Sequence, residues 1–197
     1  SEYLRPGERC RVAGRTGLGA KIRPGRRREL TMRIALDCSS AARPESTGVA
    51  MYIRRMVEAF ARTAPQDDFT LVYRFSRIKD RENFIAPPSA QFHAKLMVER
   101  LHPLFARRLD IFHGLDARLP GPWMKAKLVV TIHDVYSALQ SKDFATEKFR
   151  TLKDKRYRDL AERADRIVVV SEACRRDVLE TLKPDPAKLR VVYEAGG

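Results

Sequence analysis

Apolar residues along the chain fall into short runs separated by longer amphipathic stretches. Arg33-Ile34-Ala35-Leu36-Asp37-Cys38, Phe69–Tyr73, Asp110–Gly114, Leu128–Ile132, Arg166–Val170 and Leu189–Tyr193 are compact and β-compatible, as buried strands are. Between the first two, Val49, Ile53, Met56, Val57 and Phe60 lie at offsets 0, 4, 7, 8 and 11, one stripe of an α-helix entered at Thr47-Gly48. A further helix is predicted after Thr146, with Phe149, Leu152, Tyr157, Leu160 and Ala164 on its apolar face. Another starts at Ser171-Glu172 and runs to Leu182, stopped by Pro184 and Pro186. Ala94 to Leu109 is helix-like, kinked or split at Pro103, and residues 76–91, with Asn83 and Pro87-Pro88, are expected to form a loop.

Strands that alternate with helices and are apolar on both faces predict a parallel sheet covered on two sides. The fold class is therefore α/β, a doubly wound, mostly parallel, Rossmann-like sheet. Ligands of such a sheet bind beyond the carboxyl ends of its strands. Those ends carry the Cys38–Gly48 loop, His113-Gly114, His133-Asp134 and Ser171-Glu172.

Residues 1–31 break the pattern. They are rich in Gly, Pro and Arg, poor in large apolar side chains and without periodicity, so they are expected to be a disordered basic extension. Gly14, Gly17 and Gly19 superficially suggest a phosphate loop, but no strand precedes them and no Gly-Lys-Ser/Thr follows. The segment holds nine Lys/Arg against three Glu, +6 of the net +14; residues 32–197 carry the remaining +8. This excess points to an anionic partner: nucleic acid, an acidic lipid surface or a phosphorylated small molecule. Met32 is a candidate true start. Three scattered cysteines without a C-x-x-C pair disfavour a disulfide framework or a zinc site and fit a reducing cytosol. No apolar run approaches the 20 or so residues that a membrane span needs. Peripheral attachment at the inner membrane face stays open.

Three positions carry candidate chemistry. His133-Asp134 directly follows the most apolar run, where a histidine can exchange a proton near neutral pH; a structural histidine with Asp134 capping the next turn is the alternative. The Gly48 turn offers unpaired N–H groups and a positive helix dipole to a phosphate, or is simply a helix start capped by Thr47. His113 is either a turn residue or a site residue, whereas His93 and His102 lie off the strand edge. Ser171 lacks a G-x-S-x-G elbow and is better placed as an N-cap. No metal site is expected, because no H-x-x-H or Cys companion stands near His113 or His133. Basic residues on the predicted helices, Arg54, Lys153, Arg156 and Arg175 among them, are either solvated faces or an anionic contact surface.

In order and spacing, MRIALD, Thr47-Gly48-Val49-Ala50-Met51-Tyr52-Ile53, Asp110–Gly114, Val129–Asp134, Ala164–Glu172 and Lys188–Tyr193 resemble the N-terminal domain of a GT4 (group 1) glycosyltransferase of GT-B fold. The resemblance covers residues 32–197. It implies transfer of a sugar from a nucleotide-sugar co-substrate to a glycan or lipid-linked acceptor, with retention and with no other cofactor. By carry-over His133 would be catalytic, beside the transferred sugar. Thr47, Gly48, Val49, Asp134, His113, Ser171 and Arg175 would line the donor-phosphate and substrate side. The chain departs from the family's Thr-Gly-Ile-Gly-Arg-Tyr turn at Ala50 and Met51, and a side chain at Ala50 could hold a phosphate further off. It also stops at Gly197, where the linker to a C-terminal donor-binding domain is expected, so residues 1–197 alone are expected to be catalytically silent. The competing expectation is a non-catalytic basic module that binds anionic lipid or nucleic acid; no nucleic-acid motif supports the latter partner.

Overall fold

The computed structural model describes residues 31–45, 47–98, 108–122, 124–135 and 147–194. The basic extension up to residue 30, the Thr146 cap and most of the 94–109 stretch lie outside them. In chain order the regular elements are β1 (Arg33–Asp37), α1 (Gly48–Thr63), β2 (Asp68–Arg74), β3 (Phe92–Met97), β4 (Ile111–Gly114), β5 (Lys127–Ile132), α2 (Glu147–Arg163), β6 (Arg166–Val169), α3 (Glu172–Leu182) and β7 (Leu189–Val191). The strands form one sheet in the order β3-β2-β1-β4-β5-β6-β7, with every neighbouring pair parallel.

β1 lies inside this sheet and is apolar in both directions because it feeds two layers. Successive strand residues point to opposite faces. Leu36 packs with Ile53 and Val57 of α1 and with Leu71, while Ala35 packs with Val72 and Phe112 on the other face. A third cluster joins Val130 and Ile132 of β5 to Tyr157 and Leu160 of α2, Ile167 of β6 and Val178 of α3. The helix starts are fixed by side chains. Thr47 Oγ1 accepts the Ala50 N–H at 3.2 Å and Ser171 Oγ accepts the Cys174 N–H at 3.0 Å. At the amino edge three carboxylates satisfy strand-start amides: Asp67 takes Met32 N–H, Asp110 takes Arg33 N–H and Asp165 takes Leu128 N–H, at 2.8–2.9 Å.

The structure corrects the expectation of a helix from Ala94. Phe92–Met97 is a strand in parallel register with β2, from Phe69↔Phe92 to Arg74↔Met97. Only its two end residues are buried, so it has neither the continuous apolar run of a central strand nor clean alternation. Its Ala, Lys, Leu and Met residues suit a helix, but pairing with β2 and the stacking of Phe92 on Phe69 at 4.6 Å override that local preference. The 76–91 stretch contains 3-10 turns across Phe75–Asn83. They are held by an Arg77–Asp80 ion pair and by Phe84 stacked on Tyr73 at 3.7 Å. The strands after Arg33, Arg166 and Leu189 end at Asp37, Val169 and Val191, sooner than their apolar runs suggest.

Leu36 is fully buried between the sheet and α1. Leu36→Ala is expected to lower the unfolding free energy by about 2–5 kcal/mol, read as a reduced urea midpoint with an unchanged slope. A midpoint within error of wild type would contradict this placement of the core.

Candidate active site at the carboxyl edge of the sheet

β5 delivers His133 to the carboxyl edge, where both ring nitrogens find oxygen partners. Nε2 donates to the Leu115 carbonyl at 2.9 Å, and Nδ1 lies 3.0 Å from Glu194 Oε1. Both ring nitrogens are thus engaged, which fixes the plane of the imidazole. The Tyr52 ring meets His133 edge-on, with centroids 4.7 Å apart. Tyr52 stands one turn into α1 from Gly48, so this contact brings the start of α1 beside the end of β5.

Beneath that pair runs a second, drier chain of polar groups. His113 Nε2 lies 2.9 Å from Thr131 Oγ1, and the Tyr52 hydroxyl lies 3.5 Å from the same oxygen. Burial pushes the His113 imidazole down to about 4, so it is neutral at physiological pH. Burial also raises the Tyr52 phenol, so it too is uncharged and serves as a hydrogen-bonding hydroxyl.

At the start of α1, Thr47 and Gly48 are exposed and Val49 is half-buried. Thr47 Oγ1 takes the Ala50 N–H, and the Gly48 and Val49 N–H groups have no hydrogen-bond partner among the described residues. A Cβ built on Gly48 would meet nothing within 4 Å, so the surface above the turn is open. Unpaired amides at a positive helix end can receive an anion there.

β1 ends on a buried carboxylate. Asp37 accepts from the Ser39 amide and hydroxyl through one oxygen and from Arg74 Nε and a terminal nitrogen through the other, the latter two at 3.2 and 3.1 Å. Arg74 closes β2, so the pair locks adjacent strand ends together. Removing one member of a buried, multiply bonded ion pair typically costs about 3–5 kcal/mol. Next to it, Ser40 Oγ donates to Asp116 in the loop after β4. That loop approaches so closely that a Cβ on Gly114 would overlap the Arg118 carbonyl oxygen.

The sequence profile of Glycosyltransferase Family 4 matches residues 46–195. The chain belongs to that family. Among similar solved structures is that of the wall teichoic acid polymerase TagF, at a TM-score of 0.51 and 10% identity. The match covers 80% of this chain and 37% of the TagF chain, and it shows the shared fold: the N-terminal Rossmann-like half of a GT-B architecture. No curated protein matches the chain.

Within this Family 4 domain the structure gathers some of the residues singled out in the sequence and disperses others. His133, His113 and the Thr47-Gly48-Val49 turn converge through Tyr52 and Thr131. Asp134 is exposed beside His133, and its carbonyl lies 3.4 Å from the Tyr157 hydroxyl. Ser171 is engaged as an N-cap, and Arg175 on the next turn faces Glu172 at 3.8 Å. Tyr52, Thr131, Glu194 and the Leu115 carbonyl escaped the sequence reading. Tyr52 alone carried a usable signal: it stands on α1 beside the apolar stripe, on the side that faces the sheet edge.

Because His113 is neutral and buried in the folded state but free to protonate when unfolded, the unfolded chain binds the extra proton between about pH 6.5 and 4. Stability is therefore full above about pH 6.5 and falls as the pH drops toward 4, by up to about 3 kcal/mol. His113→Gln is expected to flatten that slope in urea melts taken across the window. An unchanged slope would mean that His113 does not titrate with unfolding.

Proposed function

We propose that this domain forms the acceptor-side wall of a retaining glycosyltransferase that moves a sugar from a nucleotide-sugar donor to a glycan or lipid-linked acceptor. The observation that carries the reading is the convergence of the open Gly48–Val49 amides and His133 through the Tyr52 ring. On this reading the two amides face the donor diphosphate. Negative charge builds on the leaving phosphate as the glycosidic bond breaks, and preorganised N–H groups stabilise that charge without reorganising. His133, oriented by Leu115 and Glu194, lines the site beside the transferred sugar, and neutral His113 holds the floor of the site through Thr131. The nucleotide itself is bound by a second domain across the cleft, so residues 1–197 by themselves turn over no donor. The basic surface suits an anionic membrane face or a charged acceptor at the cytoplasmic side.

The test combines two readouts. In amide NMR spectra of the chain, millimolar UDP or GDP is expected to shift Gly48 and Val49. In the domain assembled with its donor-binding half, His133→Ala is expected to lower kcat about 100-fold or more, with a smaller change in KM. Unmoved Gly48 and Val49 resonances together with an unaffected kcat would overturn the reading.

A further inference from the structure

His133 is committed on every side, and what it holds in place is a carboxylate. Nε2 is used inward on the Leu115 carbonyl at 2.9 Å, and Nδ1 meets Glu194 Oε1 at 3.0 Å. The Tyr52 ring packs against the imidazole edge-on, at 4.7 Å and 83°. No ring nitrogen is left for a ligand. The side-chain polar atom of the pair that does remain is Glu194 Oε2, which has no hydrogen-bond partner among the described residues. The His133 side chain is 13% exposed and that of Glu194 45%. The imidazole is thus the covered support and the carboxylate the open group.

Three strands stand behind that carboxylate. Leu115 follows β4, His133 follows β5 and Glu194 follows β7, with β6 between the last two. One imidazole therefore ties three strand exits together across the carboxyl edge. The segment that leaves β7 is held as well: the Val192 N–H bonds the Val169 carbonyl at 2.9 Å, which extends the β6–β7 ladder to within two residues of Glu194. A glutamate on an irregular surface segment is ordinarily free to change rotamer and loses that freedom when it binds. Here the folded chain has already fixed it, and a preorganised acceptor binds more tightly than a free one.

What the carboxylate receives follows from charge. The Gly48 and Val49 amides, one helical turn before Tyr52, suit an anion, whereas a carboxylate repels one. An ammonium group would have to approach a chain of net charge +14. A neutral hydroxyl meets neither obstacle, and its hydrogen bond to a carboxylate is the shorter, charge-assisted kind. A carboxylate offers about four acceptor positions, of which His133 occupies one, so two neighbouring hydroxyls can be received together.

We propose that Glu194 is a sugar-binding residue, whose carboxylate receives neighbouring hydroxyl groups of a pyranose ring, and that His133 is its positioning residue. The hydroxyl site stands on this geometry, whereas its place in sugar transfer rests on the glycosyltransferase reading above. The transferred sugar and a glycan acceptor share this chemistry, and they differ in whether the hydroxyls arrive joined to a nucleotide.

The experiment is an NMR titration of the full 197-residue chain, followed at the His133 ring protons and the Glu194 amide. The probes are methyl α-D-glucopyranoside and methyl α-D-mannopyranoside, with tetrahydropyran-2-methanol as a ring that lacks the neighbouring hydroxyls. At least one glycoside is expected to shift these signals on the order of tens of millimolar, and tetrahydropyran-2-methanol is expected to leave them in place. Glu194→Gln keeps the size of the side chain, removes one acceptor oxygen and is expected to weaken binding about fivefold or more. Glu194→Ala supplies the same comparison should Glu194→Gln disturb the fold. His133→Ala frees the carboxylate without removing it and is expected to weaken binding about two- to fourfold. Glu58→Gln, on α1 and 47% exposed, is expected to change it less than about twofold. No glycoside shift, an equal shift from tetrahydropyran-2-methanol, or undiminished binding in both Glu194 variants would overturn the site. Undiminished binding in His133→Ala would overturn the positioning role.

UDP-glucose and GDP-mannose, set against UDP and GDP, then assign the hydroxyls. If Glu194→Gln weakens only the sugar nucleotides, the hydroxyls belong to the transferred sugar; if it weakens none of the four, they belong to an acceptor. Equal weakening of all four would overturn the hydroxyl assignment. None of these readouts requires sugar transfer. A glycoside that binds while no nucleotide moves Gly48 or Val49 would leave the sugar site standing and remove the donor reading, and the opposite pattern would do the reverse.

Discussion

Parallel pairing of β1 on both of its edges is the constraint on which the rest of this domain depends. A strand hydrogen-bonded to β2 on one side and β4 on the other must bury side chains on both faces, which explains the fully buried Ala35 and Leu36. Because both neighbours run parallel to it, every connection has to return over the sheet, and the returning helix α1 covers one face with Ile53 and Val57. The same arrangement brings the loops from β1 and β4 together at the carboxyl edge, where Ser40 donates to Asp116. Polar residues there are buried without disrupting the ladder. The site is thus a consequence of strand order.

Two kinds of polar order meet at that edge. One is satisfied: Asp37 with Arg74 and Ser39, His113 with Thr131, and His133 between Leu115 and Glu194. Networks of this sort fix geometry, and their members are neutral or paired. The other is unsatisfied among the described residues: the Gly48 and Val49 amides and Arg156 Nε. The two amides lie at the positive end of α1 and face the open carboxyl edge. The Tyr52 ring links the turn that carries those amides to His133.

How much of this was legible in the chain depended on burial. Buried parallel strands are apolar on both faces, so β1, β2, β4, β5, β6 and β7 announced themselves as short runs. β3 did not, because an exposed edge strand is free to use Ala, Lys and Leu, residues that a helix also favours. His133 and the Gly48 turn were visible because each sits directly at the end of a periodic segment. Arg118 had no such frame. It lies in an aperiodic loop, and its close placement against Gly114 through the Ala117 turn is a property of backbone approach. Arg156 was hidden differently, among the basic neighbours Lys153, Lys155 and Arg158 on α2. Nothing in the spacing separates Arg156, with its buried and unpartnered Nε, from the exposed Lys155 and Arg158.

The most direct measurement of the central claim is a crystal structure of the chain soaked with a nucleoside diphosphate. The account predicts phosphate density at the carboxyl edge, within hydrogen-bonding distance of the Gly48 and Val49 amides and on the side of α1 that faces His133. Diphosphate bound at the amino edge, among Arg33, Lys127 and their carboxylates, would contradict it.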